Sequence, residues 1–305
     1  MLYSPMVIFM KKNKLRGSLA LMVATIIWGS AFIAQSVGMD HIGPMTFQAA
    51  RCGLGAIFLV PVIYIFDTDK KSYLQKWMNP KLWRTGFLCG SALFVAAGLQ
   101  QVGLVYTTAG KAGFITAMYI VLVPILGLFL HKRPSVSAWV SVCVAVAGLY
   151  LLSCVGATQI NIGDILMLGG ALGFAVQITL IDRLAADQDG LRLNCIQAFV
   201  CALWSCLVMA VTETPTLSGI MESAMPIAYA GILSMGVAYS LQIVGQKHLE
   251  PTPASLIMSL ESVFAALCGW MILKEQMSVP ELCGCGLVFA AVIISQLPEK
   301  KKAHG

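Results

Sequence analysis

Ten apolar stretches of about 20 residues follow one another along this 305-residue chain, and each is long enough to cross a hydrocarbon core of about 30 Å. The chain is 58% hydrophobic and 11% charged, against about 25% charged residues in an ordinary soluble domain. Lipid cannot satisfy an exposed backbone, so each stretch is predicted to be a helix. The sequence therefore predicts an all-α polytopic membrane protein with almost no mass outside the bilayer.

Most connections between the predicted spans are very short, so helices that follow one another must be antiparallel neighbours. The longest connection, residues 67–84, carries seven charged residues and is predicted to hold a short surface helix around Tyr73–Trp77. The ten predicted spans are 17–37, 44–66, 85–106, 108–130, 136–155, 163–183, 194–212, 224–245, 251–273 and 279–297.

The two halves of the chain repeat each other, such that position n of the first half matches position n + 142 of the second. The matching pairs are Ala96/Ala238, Leu99/Leu241, Gln100/Gln242, Val102/Val244, Gly103/Gly245, Ala112/Ala254, Ile115/Ile257, Gly127/Gly269 and Lys132/Lys274. Each half holds five spans, and because five is odd, the second half must enter the bilayer from the opposite side. The predicted fold is thus ten transmembrane helices in two inverted five-helix repeats, an architecture characteristic of secondary transporters.

The predicted domains are a tail, residues 1–16, a first repeat, 17–155, a second repeat, 163–297, and a basic tail, 298–305. With the amino terminus in the cytoplasm, 17 of the 20 Lys and Arg residues lie on that side, and Arg51, Lys111 and Lys274 are left toward the outside. The positive-inside rule therefore predicts a multi-pass protein of the inner or plasma membrane with both termini cytoplasmic. Met10-Lys11-Lys12-Asn13-Lys14 reads like an ordinary initiation sequence, which makes residues 1–9 a candidate for a mis-annotated extension.

Several patches resemble the EamA-type branch of the drug/metabolite transporter superfamily. They are Trp28-Gly29-Ser30-Ala31-Phe32, Arg51, Gly113-Phe114-Ile115 with Pro124, Gly148-Leu149-Tyr150-Leu151, Leu260-Glu261-Ser262-Val263-Phe264 and Lys274-Glu275. The resemblance implies a central cavity lined mainly by the first, third, fourth, sixth, eighth and ninth helices, and export or exchange of small metabolites without ATP. Two positions depart from the family pattern: Arg133 replaces the glutamate in the first repeat, and Ser262 stands where a proline is usual.

Glu261 is the sharpest candidate for function because it lies near the centre of the ninth span, about 15 Å from either end. An unpaired carboxylate at that depth costs several kcal/mol, so it should face a wet cavity, find a partner or be protonated. Two interpretations stay open, a substrate-amine or proton-coupling site and a structural carboxylate bonded to neighbouring helices. Its equivalent in the first repeat is Tyr119, so this charge breaks the pseudosymmetry.

Other polar and aromatic residues within the spans are candidates for lining a substrate cavity, since amides are costly on a lipid-facing surface. They are Gln100, Gln242, Gln177, Thr116, Ser259, Trp28, Tyr119 and Tyr239. Arg51 has three open roles, pairing with a carboxylate, binding an anionic substrate group or reaching the interface. Lys111, close to the outer end of the fourth helix, is predicted to be a gate or structural charge.

Enzymatic interpretations find little support, because the chain has neither P-loop spacing nor a His-Glu-x-x-His motif. No cofactor, metal or nucleic acid is expected, since carboxylates and histidines do not cluster and the net charge of +6 lies in loops and tails. We expect a secondary transporter, an exporter of a small organic metabolite or xenobiotic, working by alternating access with proton coupling as an option. The alternatives are an uncoupled facilitator, a lipid-intermediate flippase and, from another class, a membrane-embedded lipid-linked transferase. A homodimer stays open.

Overall fold

The computed structural model of the chain describes residues 5–107, 109–132, 134–153, 161–272 and 277–296. All regular secondary structure in these ranges is helical. Part of the questioned extension (residues 1–4), Arg133, the Lys274-Glu275 element and the basic tail 298–305 lie outside the described residues.

Ten helical spans, numbered α1 to α10, follow in chain order. They are α1 Pro5–Gly38, α2 Pro44–Phe66, α3 Pro80–Leu104, α4 in two pieces Ala109–Ala117 and Tyr119–Phe129, α5 Val136–Ser153, α6 Ile162–Leu184, α7 Gly190–Thr212, α8 Ala224–Gln246, α9 in two pieces Pro251–Met258 and Leu260–Ile272, and α10 Val279–Gln296. Within the described ranges, nine spans are long and apolar enough to cross a membrane, and α5 is a shorter apolar helix. The predicted all-α, ten-helix membrane fold is confirmed, as is the short helix Tyr73–Trp77.

Helix starts follow local chemistry. Pro44, Pro80 and Pro251 occupy the first turns of α2, α3 and α9, where a missing N–H costs nothing. Asn161 and Asp164 form a reciprocal capping box at the start of α6, each side chain accepting from the other's backbone amide. These signals place the helix ends where the short connections require them.

The helices pack in a pattern that is unchanged when each helix is replaced by its equivalent in the other repeat. Helix α1 packs on α8 and α9, as α6 packs on α3 and α4, while α2 packs on α7 and α5 packs on α10. This exchange is what a pseudo-two-fold axis between two five-helix repeats produces. Because each repeat has an odd number of spans, the two repeats are inverted.

Reciprocal glycine contacts bring the backbones of the crossing helices together. A Cβ atom added to Gly163 would lie 2.7 Å from the carbonyl oxygen of Gly103, and one added to Gly17 would lie 2.9 Å from that of Gly245. Only residues without a side chain permit such an approach. The two contacts occupy equivalent positions of the two repeats. Gly17 in α1 corresponds to Gly163 in α6 at an offset of 146 residues, and Gly103 in α3 corresponds to Gly245 in α8 at an offset of 142 residues. The first residues of α2 and α7 differ in number by the same 146, and both helices have 23 residues.

Both ends of the α2–α7 pair are tied by a carboxylate that follows one helix and binds the first turn of the other. Asp67, directly after α2, pairs with Lys76 at 2.7 Å and with Arg192 in the first turn of α7. Lys76 and Arg192 hold the pKa of Asp67 well below its usual range. Glu213, directly after α7, accepts from the backbone amide and the hydroxyl of Thr46 at 2.8 and 2.6 Å. These contacts therefore hold helices α2 and α7 together at both of their ends.

Three spans depart from the uninterrupted helices that the sequence predicts. Helices α4 and α9 are each interrupted once, at Met118 and Ser259, close to equivalent positions of the two repeats. In α8, Tyr229–Ala238 forms a π-helix, a geometry that shifts backbone carbonyls away from their usual donors. These irregular segments surround the centre of the bundle.

Candidate functional site

A central cavity with a volume of about 40 Å³ lies between the two repeats, which is room for a few water molecules in this conformation. Helices α1, α3, α4, α6, α8 and α9 contribute to it, the six helices that the family resemblance implied. The lining residues are Trp28, Phe32, Gln35, Gln100, Thr116, Tyr119, Phe174, Ile178, Tyr239, Gln242, Met258 and Glu261.

Glu261 and Tyr119 meet in this cavity. The Tyr119 hydroxyl donates to Glu261 Oε1 at 3.1 Å, and this is the only hydrogen bond of the carboxylate to a described residue. Their numbers differ by 142, so each is the equivalent of the other. Residues related by a two-fold rotation touch each other only near its axis. The cavity therefore lies on the pseudo-symmetry axis, with a single carboxylate at its centre.

Aromatic rings stand around this carboxylate. Trp28 and Tyr239 contact edge to face with ring centroids 5.0 Å apart, and Tyr119 and Phe174 do the same at 6.5 Å. Trp28 Nε1 is buried and has no hydrogen-bond partner among the described residues. Aromatic faces and a carboxylate both attract cations, so this wall suits an ammonium group.

The two equivalent glutamines, Gln100 and Gln242, both lie on the cavity wall. Gln100 Nε2 donates to Thr116 Oγ1 at 3.1 Å, whereas Gln242 Nε2 donates to Gln177 Oε1 at 3.1 Å. Gln177 itself stands behind Gln242 and is absent from the lining. The sequence therefore predicted the positions of both wall amides but not their different partners.

Gln177 begins a chain of hydrogen bonds that leads away from the cavity. Its Nε2 donates to Gln197 Oε1 at 3.3 Å, and Gln197 Nε2 donates to Asn194 Oδ1 at 2.8 Å. Asn194 Nδ2 then reaches the carbonyls of Met235 and Gly236 at 2.9 and 3.1 Å, within the shifted turns of the π-helix. In the second repeat, polar contacts thus run without a gap from the cavity wall to the irregular part of α8.

Three remaining candidates lie away from the cavity wall. Arg51, in α2, is 3% exposed and has no hydrogen bond or ion pair to any described residue. Lys111 pairs with Asp164 at 2.5 Å and joins α4 to the start of α6, an arrangement compatible with either predicted role, gate or structural charge. Ser259 donates to the Leu256 carbonyl at the interruption of α9.

Five lining residues were not predicted from the sequence: Phe32, Gln35, Phe174, Ile178 and Met258. Gln35 carried a usable signal, since it lies two helical turns after Trp28 on the same face. The four apolar residues carried none, because apolar side chains are ordinary at any position of a membrane span. Within the described ranges, no group of three or more His, Cys, Asp or Glu side chains is arranged as a metal site.

Comparison with known proteins agrees with this geometry. The model of the EamA-like transporter family matches residues 15–154 and again residues 161–296. The chain belongs to the EamA-like transporter family. The first positions of the two matched segments differ by 146 and the last by 142, the same two offsets that the packing gives. The protein is therefore a multi-pass membrane protein of a transporter family.

Individual relatives cover nearly the whole chain. An uncharacterized transporter of Archaeoglobus fulgidus is 32% identical over 286 residues, 93% of this chain and 87% of its own length. The threonine/homoserine exporter RhtA of Escherichia coli strain K12 is 26% identical over 281 residues, 91% of this chain and 90% of its own. One crystal structure superposes with a TM-score of 0.77 at 15% identity and covers 92% of this chain and 96% of that one, which shows a shared fold.

Proposed function

We propose that this protein is a secondary transporter that exports a small organic molecule carrying an amine group across the cell membrane by alternating access. The observation that carries the proposal is the contact of Tyr119 with Glu261, two equivalent residues that meet inside a central cavity. A carboxylate on the axis between two inverted repeats is the group that both faces of the membrane can reach in turn.

Alternating access is supported by the pairing of the interruptions in α4 and α9. Both lie beside the central carboxylate, one directly before Tyr119 and the other two positions before Glu261. A short break in a helix lets its two halves move separately, and inverted repeats provide two nearly equivalent packings between which they can move. We infer that the repeats exchange their packings around the cavity, with Glu261 staying at its centre.

Glu261 also supplies a simple means of coupling the export of an amine to the uptake of a proton. A carboxylate that binds an ammonium group on one side of the membrane releases it on the other and takes up a proton for the return. Proton and amine compete for the same oxygens, so one proton enters for each amine that leaves. Tyr119 donates a hydrogen bond to the charged form and orients it.

The direction of transport and the orientation of the chain in the membrane are supported by separate observations. RhtA, a relative across nearly the whole chain, is named an exporter. The excess of Lys and Arg on the side of the amino terminus supports cytoplasmic termini in the cell membrane.

The test is transport of amines by purified protein in liposomes with an imposed pH gradient. Glu261→Gln keeps the shape and an acceptor for the Tyr119 hydroxyl but cannot carry a proton, so we expect gradient-driven flux to disappear while the protein remains folded. Tyr119→Phe is the matched variant, because it removes only the orienting hydroxyl and should weaken transport by about tenfold or less. Wild-type flux in the Glu261→Gln protein would overturn the proposal. Flux that ignores a protonophore would make the protein a facilitator.

A further inference from the structure

A second and larger cavity, about 440 Å³ in volume, is a groove on the outside of the bundle between α2, α3 and α7. The surface helix Tyr73–Trp77 forms part of its wall and lies at the membrane face where α1 begins, because it directly follows α2. We call this cavity the interfacial groove. Its lining is apolar or aromatic and includes Ile57, Val60, Leu74, Trp77, Trp83 and Phe199. Its volume falls in the range of about 300–1,000 Å³ typical of small-molecule sites.

The interfacial groove opens toward lipid and is separate from the central cavity. Ile57 is 70% exposed and Phe199 is 52% exposed, on helices that span the membrane. The described residues that line this groove are all different from those that line the central cavity. A contiguous exposed apolar surface marks an interaction site. Within a bilayer, the alkyl chain of a lipid is the apolar ligand that reaches such a surface directly.

Aromatic side chains fix the rim of the groove. Trp83 Nε1 donates to the Trp77 carbonyl at 2.6 Å and so joins the start of α3 to the surface helix. The rings of Tyr73 and Trp77 lie with their centroids 5.2 and 5.5 Å from the Arg192 guanidinium carbon. Trp and Tyr side chains are enriched at the depth of the lipid headgroups. The rim is therefore preformed at the depth where a headgroup joins its acyl chains.

Basic side chains surround this aromatic rim. Lys76 and Lys81 lie 2.7 and 3.7 Å from an aspartate carboxylate. Lys71 and Arg84 are exposed, and neither forms an ion pair with a described residue. Clusters of four to eight Lys and Arg residues beside the cytoplasmic end of a membrane span are typical of sites for anionic lipid headgroups. The cluster here consists of Lys70, Lys71, Lys76, Lys81 and Arg84.

The corresponding connection of the second repeat has the opposite charge. Residues 213–223, between α7 and α8, also hold a short helix, Leu217–Glu222, but they contain two glutamates and no Lys or Arg. In α2, Gly53 stands where α7 has the groove residue Phe199, at the offset of 146 that relates these helices. The basic rim therefore occurs at one membrane face only. It is the face with the excess of Lys and Arg, which the positive-inside rule assigns to the leaflet that attracts basic segments through its anionic lipids.

We propose that the interfacial groove binds one anionic phospholipid, with an acyl chain between α2, α3 and α7 and the phosphate against Lys71 and Arg84. A zwitterionic lipid fills the apolar part equally well, but its own ammonium group opposes the cations at the rim. The groove thus selects for an alkyl chain, and the rim selects for negative charge. This site lies outside the central cavity and does not depend on which molecule the protein transports.

The first test measures the preference for negative charge. Native mass spectrometry of the full-length protein in detergent counts bound lipids after addition of dioleoyl phosphatidylglycerol or dioleoyl phosphatidylcholine. We expect one phosphatidylglycerol to bind about tenfold more tightly than phosphatidylcholine or better. Each cation near an anionic surface contributes about a fivefold gain in affinity, so Lys71→Gln with Arg84→Gln should remove most of the preference. Lys14→Gln with Arg16→Gln is the matched control, because it removes the same charge from exposed positions of α1 at the same face.

The second test fills the apolar part of the groove. Val60→Trp places a large side chain in it from α2 and should weaken both lipids by about tenfold, whereas Ile293→Trp, at a position of α10 that is 63% exposed, should weaken neither. Equal binding of the two lipids by the wild type would overturn the inference, as would an unchanged preference in the Lys71→Gln, Arg84→Gln protein. Wild-type binding by Val60→Trp would also overturn it. So would a dimer whose formation excludes the lipid, since the groove would then belong to a second copy of the chain.

Discussion

The second repeat links a set of buried amides into one hydrogen-bonded chain, whereas three buried polar atoms in the first two helices of the first repeat have no partner among the described residues. In the second, Gln177, Gln197 and Asn194 connect the cavity to the backbone of α8. In the first, Gln35 Oε1, Gln48 Oε1 and Arg51 Nε are buried and have no hydrogen-bond partner in the part of the chain that the structure describes. Both repeats nevertheless share the glycine crossings and the carboxylate ties between α2 and α7. The packing of the helices is alike in the two repeats, whereas the polar side chains differ.

This difference between the repeats separates features that stabilise the fold from features that serve transport. We propose that features that occur in both repeats hold the helices together and that features that occur once supply the chemistry of transport. Glu261 against Tyr119 and Arg51 against Gln197 are charged departures from symmetry within the spans, and the first of these pairs lines the cavity. We therefore expect substitutions at shared features to have matched effects on folding and substitutions at unshared ones to affect transport.

The largest effect should come from the glycine crossings. Gly163→Leu and Gly17→Leu each place a side chain against a backbone carbonyl at 2.7 and 2.9 Å, and overpacking of this kind costs about 3 kcal/mol or more. We expect both to abolish recovery of monodisperse protein after detergent extraction. Gly286→Leu is the control, because nothing lies within 4 Å of its added Cβ. A large loss from only one of the two crossings would contradict their equivalence.

Replacing the buried amides Asn194 and Gln48, which lie away from the cavity wall, should lower the stability by smaller and unequal amounts. Asn194→Leu removes donors to two backbone carbonyls of α8 at 2.9 and 3.1 Å, whereas Gln48→Leu removes one long contact at 3.4 Å. Thermal unfolding in detergent should show a loss of about 2–3 kcal/mol for Asn194→Leu and about 1 kcal/mol for Gln48→Leu. Equal losses would mean that the first repeat depends on its polar contacts as strongly as the second.

The smallest effect in this series concerns the ties between α2 and α7. Asp67→Asn should lower the unfolding temperature more than Glu213→Gln, because Asp67 pairs with two cations and Glu213 with neutral donors. The folded pKa of Asp67 is lowered, so its contribution is present above the unfolded value of about 3.9 and is lost as the pH falls toward the folded value. The gap between wild type and Asp67→Asn should therefore be constant above about pH 5 and shrink below about pH 4. A gap that widened in acid would show that Asp67 is not the charged partner.

Much of this architecture follows from the sequence because the bilayer removes most alternatives. Apolar length gives the spans, and an odd number of spans in each repeat gives the inversion. Mid-span polar residues such as Gln100 and Glu261 could be assigned to the cavity, since lipid would not accept them. When the two repeats are aligned with a single offset of 142 residues, however, α1 and α2 are shifted by one helical turn relative to α6 and α7. This shift hides the equivalence of Arg51 and Gln197.

Other features depend on contacts that no local pattern encodes. The interruption at Ser259 has no proline after it in α9, and the π-helix of α8 is supported by Asn194 from another helix. Phe32, Phe174 and Met258 line the cavity although their residue types fit any membrane-facing position equally well. Their roles depend on which face of each helix the tertiary packing turns inward.

The most direct test of the account exchanges the two residues that meet on the axis. Glu261→Tyr alone removes the carboxylate and should abolish proton-driven transport. Adding Tyr119→Glu to it returns one carboxylate and one phenol to the same place with their repeats reversed. If the two positions are equivalent about the axis, the double variant regains measurable proton-driven transport. A folded double variant as inactive as Glu261→Tyr alone would contradict the account.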